Sequence, residues 1–253
     1  MKIVVLIKLV PDLVEELEID ASGAALDTSW LRLVINEFDD HAIEQAILLK
    51  EQGGAQVTIV APVADGVDDT LYAAAAKGAD RLIKLVGDFA GLNNHALARA
   101  LAAMVKPWQP DLVLTGVQTH TDLDGPVGPL LAAALDMPYV GYVAGVTVSD
   151  GQVTIQKEYP GGLLAEMAVT LPAVLGVQAA EEPPRYVAIS KIRQAMKSAS
   201  IEELAMAELD ASGGLIVERM FKPETGARAT IIDGDEAEVA ARLVEIFQEA
   251  GIL

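Results

Sequence analysis

The side chains best suited to chemistry gather in one glycine-rich stretch. Thr115-Gly116-Val117-Gln118-Thr119-His120-Thr121-Asp122-Leu123-Asp124-Gly125-Pro126-Val127-Gly128 links an apolar run to an alanine-rich one. With a strand before it and a helix after it, the stretch offers glycines, hydroxyls, amides and free backbone N–H groups at a helix N-terminus. That set suits an anion such as a nucleotide phosphate. A plain polar connection is the competing reading. Asp122 and Asp124 could form a carboxylate pair for acid–base or metal work. The pattern favours a quieter role, in which they cap the next helix or meet a ribose. Two further segments, Lys8-Leu9-Val10-Pro11-Asp12 and Ala61-Pro62, also end strand-like runs. In an open α/β sheet such ends converge on one ligand site.

Other chemistries lack their residues. The chain has no cysteine, so it has no disulfide, thiolate nucleophile or cysteine-held iron–sulfur cluster. His41, His95 and His120 lie far apart without ligand spacing, so no metal site is expected. There is no GxxxxGK(S/T) loop and no GxGxxG after the first strand, and no serine sits in GxSxG. A conventional kinase, NTPase or dehydrogenase is therefore disfavoured. A formal net charge of −19 repels phosphate backbones and argues against nucleic acid. It suits solubility or steering toward a basic partner. No apolar run reaches the roughly 18 residues of a membrane span. The opening MKIVVLIKLVPD is too short in its apolar part for a signal peptide and is broken by Lys8. It reads as a buried strand, and a cytoplasmic location is expected.

Regular alternation must position the loop. Ile3 to Ile7 is a continuous apolar run, as in a strand buried on both faces. Residues 36–52 place Phe38, Ala42, Ile43, Ala46 and Leu49 on one helical face, with Asn36 or Asp39 as cap and Gly53-Gly54 as stop. Strands are predicted at 56–61, 81–86 and 111–116, and helices at 68–77, 93–106 and 128–135. This spacing means an α/β, doubly wound, mostly parallel sheet with helices on both faces. Residues 140–178 read as antiparallel strands and hairpins added to it, with turns at Ser149-Asp150-Gly151 and Pro160-Gly161-Gly162. After Pro183-Pro184 the chain turns polar and irregular. A last helix at about 235–250 carries Val239, Leu243, Ile246 and Phe247 on one face. Residues 1–185 are read as the body. Residues 186–253 are an arm lying on a partner or a C-terminal subdomain packed on the body.

The motifs have a family resemblance. Asn36-Glu37-Phe38-Asp39, followed by Ala42-Ile43-Glu44-Gln45-Ala46 and Leu49-Lys50-Glu51, resembles the first block of electron-transferring flavoprotein beta subunits. Lys8 with Val10-Pro11-Asp12, Gly78-Ala79-Asp80-Arg81, and Pro110-Asp111-Leu112-Val113 leading into Gly116-x-Gln118 are similar to that family too. So are Lys157-Glu158-x-x-Gly161-Gly162, Leu171-Pro172-Ala173-Val174, Pro184-Arg185-Tyr186 and Gly226-x-Arg228-Ala229-Thr230, in family order.

The resemblance implies the adenine nucleotide alpha hydrolase-like version of the fold and an electron carrier, not an enzyme by itself. The implied partner is an alpha subunit, in a heterodimer that shares FAD. Electrons would come from a flavin dehydrogenase, such as an acyl-CoA dehydrogenase, and pass to another flavoprotein or a quinone reductase. The beta body would also hold an adenine nucleotide, AMP or a second FAD. The positions carried over are Leu6, Asn36, Asp39, Ala61, Pro62, Gly116, Gln118, Asp122, Gly125, Pro126 and Val127. Val127 departs from the hydroxyl residue common in AMP-type members, which leaves AMP or FAD open, with AMP favoured. The resemblance also makes exposed Ile189 an anchor for the dehydrogenase and Glu158 a contact to an arginine near the partner's flavin. Read without it, Ile189 packs under its own helix. An ATP-binding hydrolase-like enzyme or a stress-type nucleotide-binding module are the alternatives on the same fold.

Overall fold

Alternation along the first strand sets the layers. In β1 (Lys2–Leu6), Ile3 and Val5 point to one side of the sheet and Val4 and Leu6 to the other. The computed structural model, which describes residues 1–89, 91–149, 152–206, 210–223, 226 and 229–253, buries both sets. Ile3 and Val5 pack with α1 (Glu37–Gly53) and α2 (Val67–Lys77). Val4 and Leu6 pack with α3 (Asn94–Val105) and α4 (Val127–Leu135). The other body strands are β4 (Gln56–Pro62), β5 (Arg81–Val86) and β6 (Leu112–Gly116). Gly54 ends α1 in the left-handed conformation and returns its N–H to the Lys50 carbonyl at 2.8 Å.

The sheet has nine strands in the order β11-β5-β4-β1-β6-β10-β7-β8-β9. Here β7 is Tyr139–Ser149, β8 Gln152–Tyr159, β9 Leu163–Val169, β10 Ala173–Val177 and β11 Ile201–Ala205. Pairing is parallel from β11 through β7, and antiparallel for β7–β8–β9. Because β1 pairs with β4 on one side and β6 on the other, the chain winds away from β1 in both directions. Their carboxyl ends make the switch point. No helix among the described residues is long and apolar enough to cross a membrane.

Three features differ from the sequence reading. β10 is not an added antiparallel strand; it lies between β6 and β7, parallel to both. Every residue of β10 is buried, and its unbroken apolar run is the signature of a central parallel strand. The second difference follows Pro184. α5 (Ile189–Ser198) packs on α2, and β11 extends the sheet beyond β5. Arg81 to Glu202 at 2.7 Å and Lys84 to Glu203 at 2.9 Å fasten that edge. The compact units accordingly divide as Met1–Met220 and Phe221–Leu253. The third is a small antiparallel pair, β2 (Leu9–Pro11) with β3 (Leu33–Ile35). Asp150, Gly151 and Arg228 lie outside the described residues. In the second unit, α6 (Glu236–Glu249) opens on a capping box between Asp235 and Glu238. Leu243, Val244 and Phe247 on it are exposed.

One helix also holds the chain after β10. On α1, His41 Nδ1 accepts from the Ala180 N–H at 3.2 Å, and Gln45 Oε1 accepts from the Glu181 N–H at 3.2 Å. Buried Glu44 accepts from the Arg185 N–H at 2.9 Å and its Nε at 2.7 Å. Arg185 also reaches exposed Glu51 at 2.5 Å. Removing one partner of a buried pair strands the other charge. Arg185→Ala is therefore expected to destabilise by about 3 kcal/mol, read as a lower denaturant midpoint at unchanged slope. Glu51→Ala, which breaks only an exposed contact, is expected to cost less than about 1 kcal/mol. Equal losses would mean that Glu44 is not the group that matters.

Candidate functional site

The carboxyl ends of β1, β4 and β6, the inner face of α3 and the start of α4 come together around a narrow cleft. Its lining includes apolar side chains, Leu6, Val60, Leu97, Leu101 and Val127, and polar ones, Lys8, Asp39, Thr115, Gln118, Thr119 and Asp122.

Asp39, in the first turn of α1, anchors the floor. Its Oδ2 accepts from the Lys8 N–H and its Oδ1 from the Gly116 N–H, both at 2.8 Å. The carboxylate thus ties the end of β1 to the end of β6. Burial pushes the Asp39 carboxyl up to about 6, against the pull of those two donors, Asn36 and the Lys8 charge. Asn36 adds a second tie, donating from Nδ2 to the Gln118 carbonyl at 3.0 Å. Gly116 is required here by close approach. A Cβ on it would collide with Asp39 Oδ1 and lie 2.8 Å from Phe38 Cβ and 2.9 Å from Asn36 Nδ2.

The loop is internally knotted. Asp122 accepts from Lys8 Nζ at 3.1 Å, Asn94 Nδ2 at 2.6 Å, the Thr119 N–H at 2.7 Å and Thr119 Oγ1 at 2.9 Å. Asp124 accepts from the N–H groups of Asn94 at 3.2 Å and His95 at 3.5 Å. It therefore caps α3, the helix before the loop, and not the next helix, which was one of the two roles its place in the sequence suggests, the other being a ribose contact. Asn93 caps the same end through Ala96 N–H and donates to the Ala211 and Gly213 carbonyls, strapping residues 211–213 across it. At α4 the N-cap is Pro126 and no side chain caps the helix. Its first-turn N–H groups are left for other acceptors. No group of three or more His, Asp or Glu side chains among the described residues is placed to hold a metal.

Of the expected positions, Leu6, Asp39, Pro62, Gly116, Gln118, Asp122 and Val127 line this cleft. Asn36 lines an adjoining cleft, which shares Gln118 and Thr119. Ala61 is buried on the α1–α2 side of the sheet, away from the cleft. Gly125 and Pro126 lie outside the lining, although the Gly125 carbonyl accepts from Asn94 Nδ2 at 2.8 Å. Glu158 is exposed on β8, beside Tyr142, Lys157 and Tyr159 in a separate open cleft. Ile189 begins α5 and is 65% exposed. Asn94, Thr115 and Thr119 escaped the sequence reading of individual site residues. An asparagine pair at a helix start was the available signal for Asn94, and a threonine closing an otherwise apolar strand was the one for Thr115.

Asp39 gives a pH-dependent expectation. Asparagine has one acceptor where two backbone N–H groups point, so Asp39→Asn strands a buried donor at a cost of about 1–3 kcal/mol. A carboxyl raised from 3.8 to about 6 holds its proton better folded than unfolded. The wild-type chain therefore gains stability from this group as pH falls through about 6, and loses it as pH rises from the unfolded value toward the folded one. The stability gap between wild type and Asp39→Asn should be wider near pH 4.5 than at 7.5, by at most about 3 kcal/mol. Denaturant curves at both pH values measure it, and a gap independent of pH would contradict the raised carboxyl.

The chain has relatives along its whole length. Residues 26–209 match the electron transfer flavoprotein domain. The "Electron transfer flavoprotein subunit beta" of Methylophilus methylotrophus is 34% identical, covering 98% of this chain and 98% of that protein. The protein of the same name from Syntrophomonas wolfei is 33% identical over 89% of this chain and 88% of its own length. The mitochondrial one from Oryza sativa subsp. japonica is 30% identical over 83% and 84%. With the family domain over most of its length and about a third of its residues identical to named beta subunits across nearly the whole chain, this chain belongs to the electron transfer flavoprotein beta-subunit family.

Proposed function

We propose that the chain works as half of a heterodimer. It shares FAD with an alpha subunit, takes electrons from a flavin dehydrogenase such as an acyl-CoA dehydrogenase, and delivers them to a second flavoprotein or a quinone reductase. FAD supplies the redox chemistry. This chain supplies docking surfaces and holds AMP in the cleft above β1, β4 and β6. The observation that carries the reading is that cleft. It lies at the switch point of a doubly wound sheet, lined by both apolar and polar side chains, in a chain of this family. The residues fit an adenine nucleotide. Leu6, Val60, Leu97 and Leu101 offer an apolar wall to a base, and the uncapped start of α4 offers N–H groups to a phosphate.

Exposed apolar surface supports a partner subunit. Leu163, Leu164 and Met167 on edge strand β9 are exposed, as are Leu243, Val244 and Phe247 on α6. In this reading the C-terminal arm lies on the alpha subunit. Ile189 supports dehydrogenase docking, since it stands out at the first turn of α5, just after Arg185 is fixed to Glu44. Burial of such a side chain on a partner contributes about 1.5–3 kcal/mol. In the same reading, Glu158, which is exposed, meets a partner arginine and biases where the flavin-bearing domain rests.

Denaturing the purified heterodimer should release FAD and AMP in equal amounts. Two FAD and no AMP per heterodimer would reassign the cleft to a second flavin. Ile189→Ala should slow electron transfer from the dehydrogenase by roughly tenfold or more at subsaturating concentration, given about 1.4 kcal/mol per decade. Because Ile189 is exposed, unfolding stability should stay within about 0.5 kcal/mol of wild type. A loss of stability with transfer unchanged per folded molecule would make Ile189 a packing residue.

A further inference from the structure

One polar atom at the end of β6 has no partner. Thr115 is 4% exposed, and its Oγ1 is the sole enclosed side-chain nitrogen or oxygen among the described residues without a hydrogen bond. Folded proteins pair nearly all such atoms, so an exception asks for a reason. Packing does not supply one, because valine has the same shape and no hydroxyl to desolvate.

Position supplies it. Leu112 and Leu114 of β6 pack toward α1 and α2, and Val113 toward α3 and α4. Alternation sends Thr115 to the α3–α4 side, where it lines the cleft with Val127. A Cβ on Gly128 would lie 2.7 Å from Thr115 Oγ1 and 3.0 Å from Tyr139 Cε2, so only glycine lets the start of α4 come this close to the hydroxyl. Gly128 is the second residue of α4, whose N-terminus has no side-chain cap. The hydroxyl and the first turn of α4 therefore face one small volume. Helix-start N–H groups favour an anion and repel a cation. Lys8, the nearest ammonium lining the cleft, already pairs with Asp122.

We propose that the Thr115 hydroxyl donates to a phosphate oxygen of the nucleotide in the cleft, alongside the first turn of α4. This deepens the AMP reading and rests on it. Thr115 is then a binding residue that separates phosphorylated from unphosphorylated ligands.

The test uses the full-length chain with whatever subunit copurifies, stripped of nucleotide and titrated calorimetrically with AMP and with adenosine. Thr115→Val should weaken AMP about tenfold or more, the scale of one hydrogen bond to a charged acceptor. Thr115→Ser, which keeps the hydroxyl, should stay within about threefold of wild type. Adenosine should bind wild type and Thr115→Val alike, and the nucleotide-free melting temperature of Thr115→Val should be no lower than wild type. Should Thr115→Val fail to fold, Thr115→Ala is read by the same AMP-to-adenosine ratio. Unchanged AMP affinity in the hydroxyl-free variant overturns the proposal and leaves the AMP reading standing, with water as the hydroxyl's partner. A wild-type chain that binds no AMP overturns both.

Discussion

The structure turns on a buried carboxylate placed where two strands stop pairing. β1 and β6 run in register up to Leu6 opposite Thr115. Beyond that point they must part for a ligand cleft to exist between their ends, and the backbone N–H groups of Lys8 and Gly116 lose their ladder partners. Left alone, both would be unsatisfied donors beneath the site. Asp39 meets both at 2.8 Å. An ionised carboxylate is suited to this because it brings two acceptors and no donor on a short stem. The cost is desolvation, which raises its proton affinity. The arrangement also fixes its neighbours. No Cβ is tolerated at Gly116, and Asn36 must sit at the start of α1 to hold the Gln118 carbonyl.

The same helix serves two regions. Asn36 and Asp39 lie at its N-terminal end and hold the cleft. His41, Glu44, Gln45 and Glu51 follow along it and hold the backbone from Ala180 to Arg185. These side chains explain why α1 carries three buried polar groups on a helix whose other buried residues are apolar. Each answers a backbone donor or acceptor that no sheet ladder reaches. The exposed residues Tyr186 and Ile189 thus leave the body from a fixed point. A docking side chain gains from this, because less conformational entropy is lost when it is captured.

Much of this was legible in the sequence, for physical reasons that also mark where reading stops. The strand at β1 announced itself by an unbroken apolar run and those at β4, β5 and β6 by short, mostly apolar ones, and the helices between them by period and by Gly54 and Gly78 as stops. The loop after β6 stood out by its glycines and by its place at a strand end. β10 was misplaced because strand direction is a long-range property. Ala173–Val177 has the composition of a central parallel strand, but its neighbours in sequence are antiparallel hairpin strands. β11 was missed because Ile201–Ala205 carries two glutamates, whose ion pairs to Arg81 and Lys84 appear only once β5 is beside it. Asp124 was given to the wrong helix for the same reason. Its target N–H groups are about thirty residues upstream, a distance that local capping rules do not span.

The knot around Asp122 decides what kind of anion site this can be. A bare carboxylate in a phosphate loop would repel the ligand, the more so in a chain of net charge −19. Here Lys8 Nζ stands 3.1 Å from Asp122 Oδ1 with both side chains largely buried, and three further donors close on the same carboxylate. An approaching phosphate meets a near-neutral pair. Freeing Lys8 for the ligand would leave Asp122 charged and under-paired in a partly buried place, which costs more than the pair returns. In the proposed AMP reading the attraction therefore comes from groups whose own needs are otherwise unmet. Those are backbone N–H groups at the start of α4 and the Thr115 hydroxyl at the strand end, fixed in direction by the helix and sheet that carry them. Such donors need no reorganisation when the ligand arrives, whereas a long lysine would have to be ordered first. The glycines at 116 and 128 belong to the same logic, since they clear side-chain atoms from the two places where backbone has to come close.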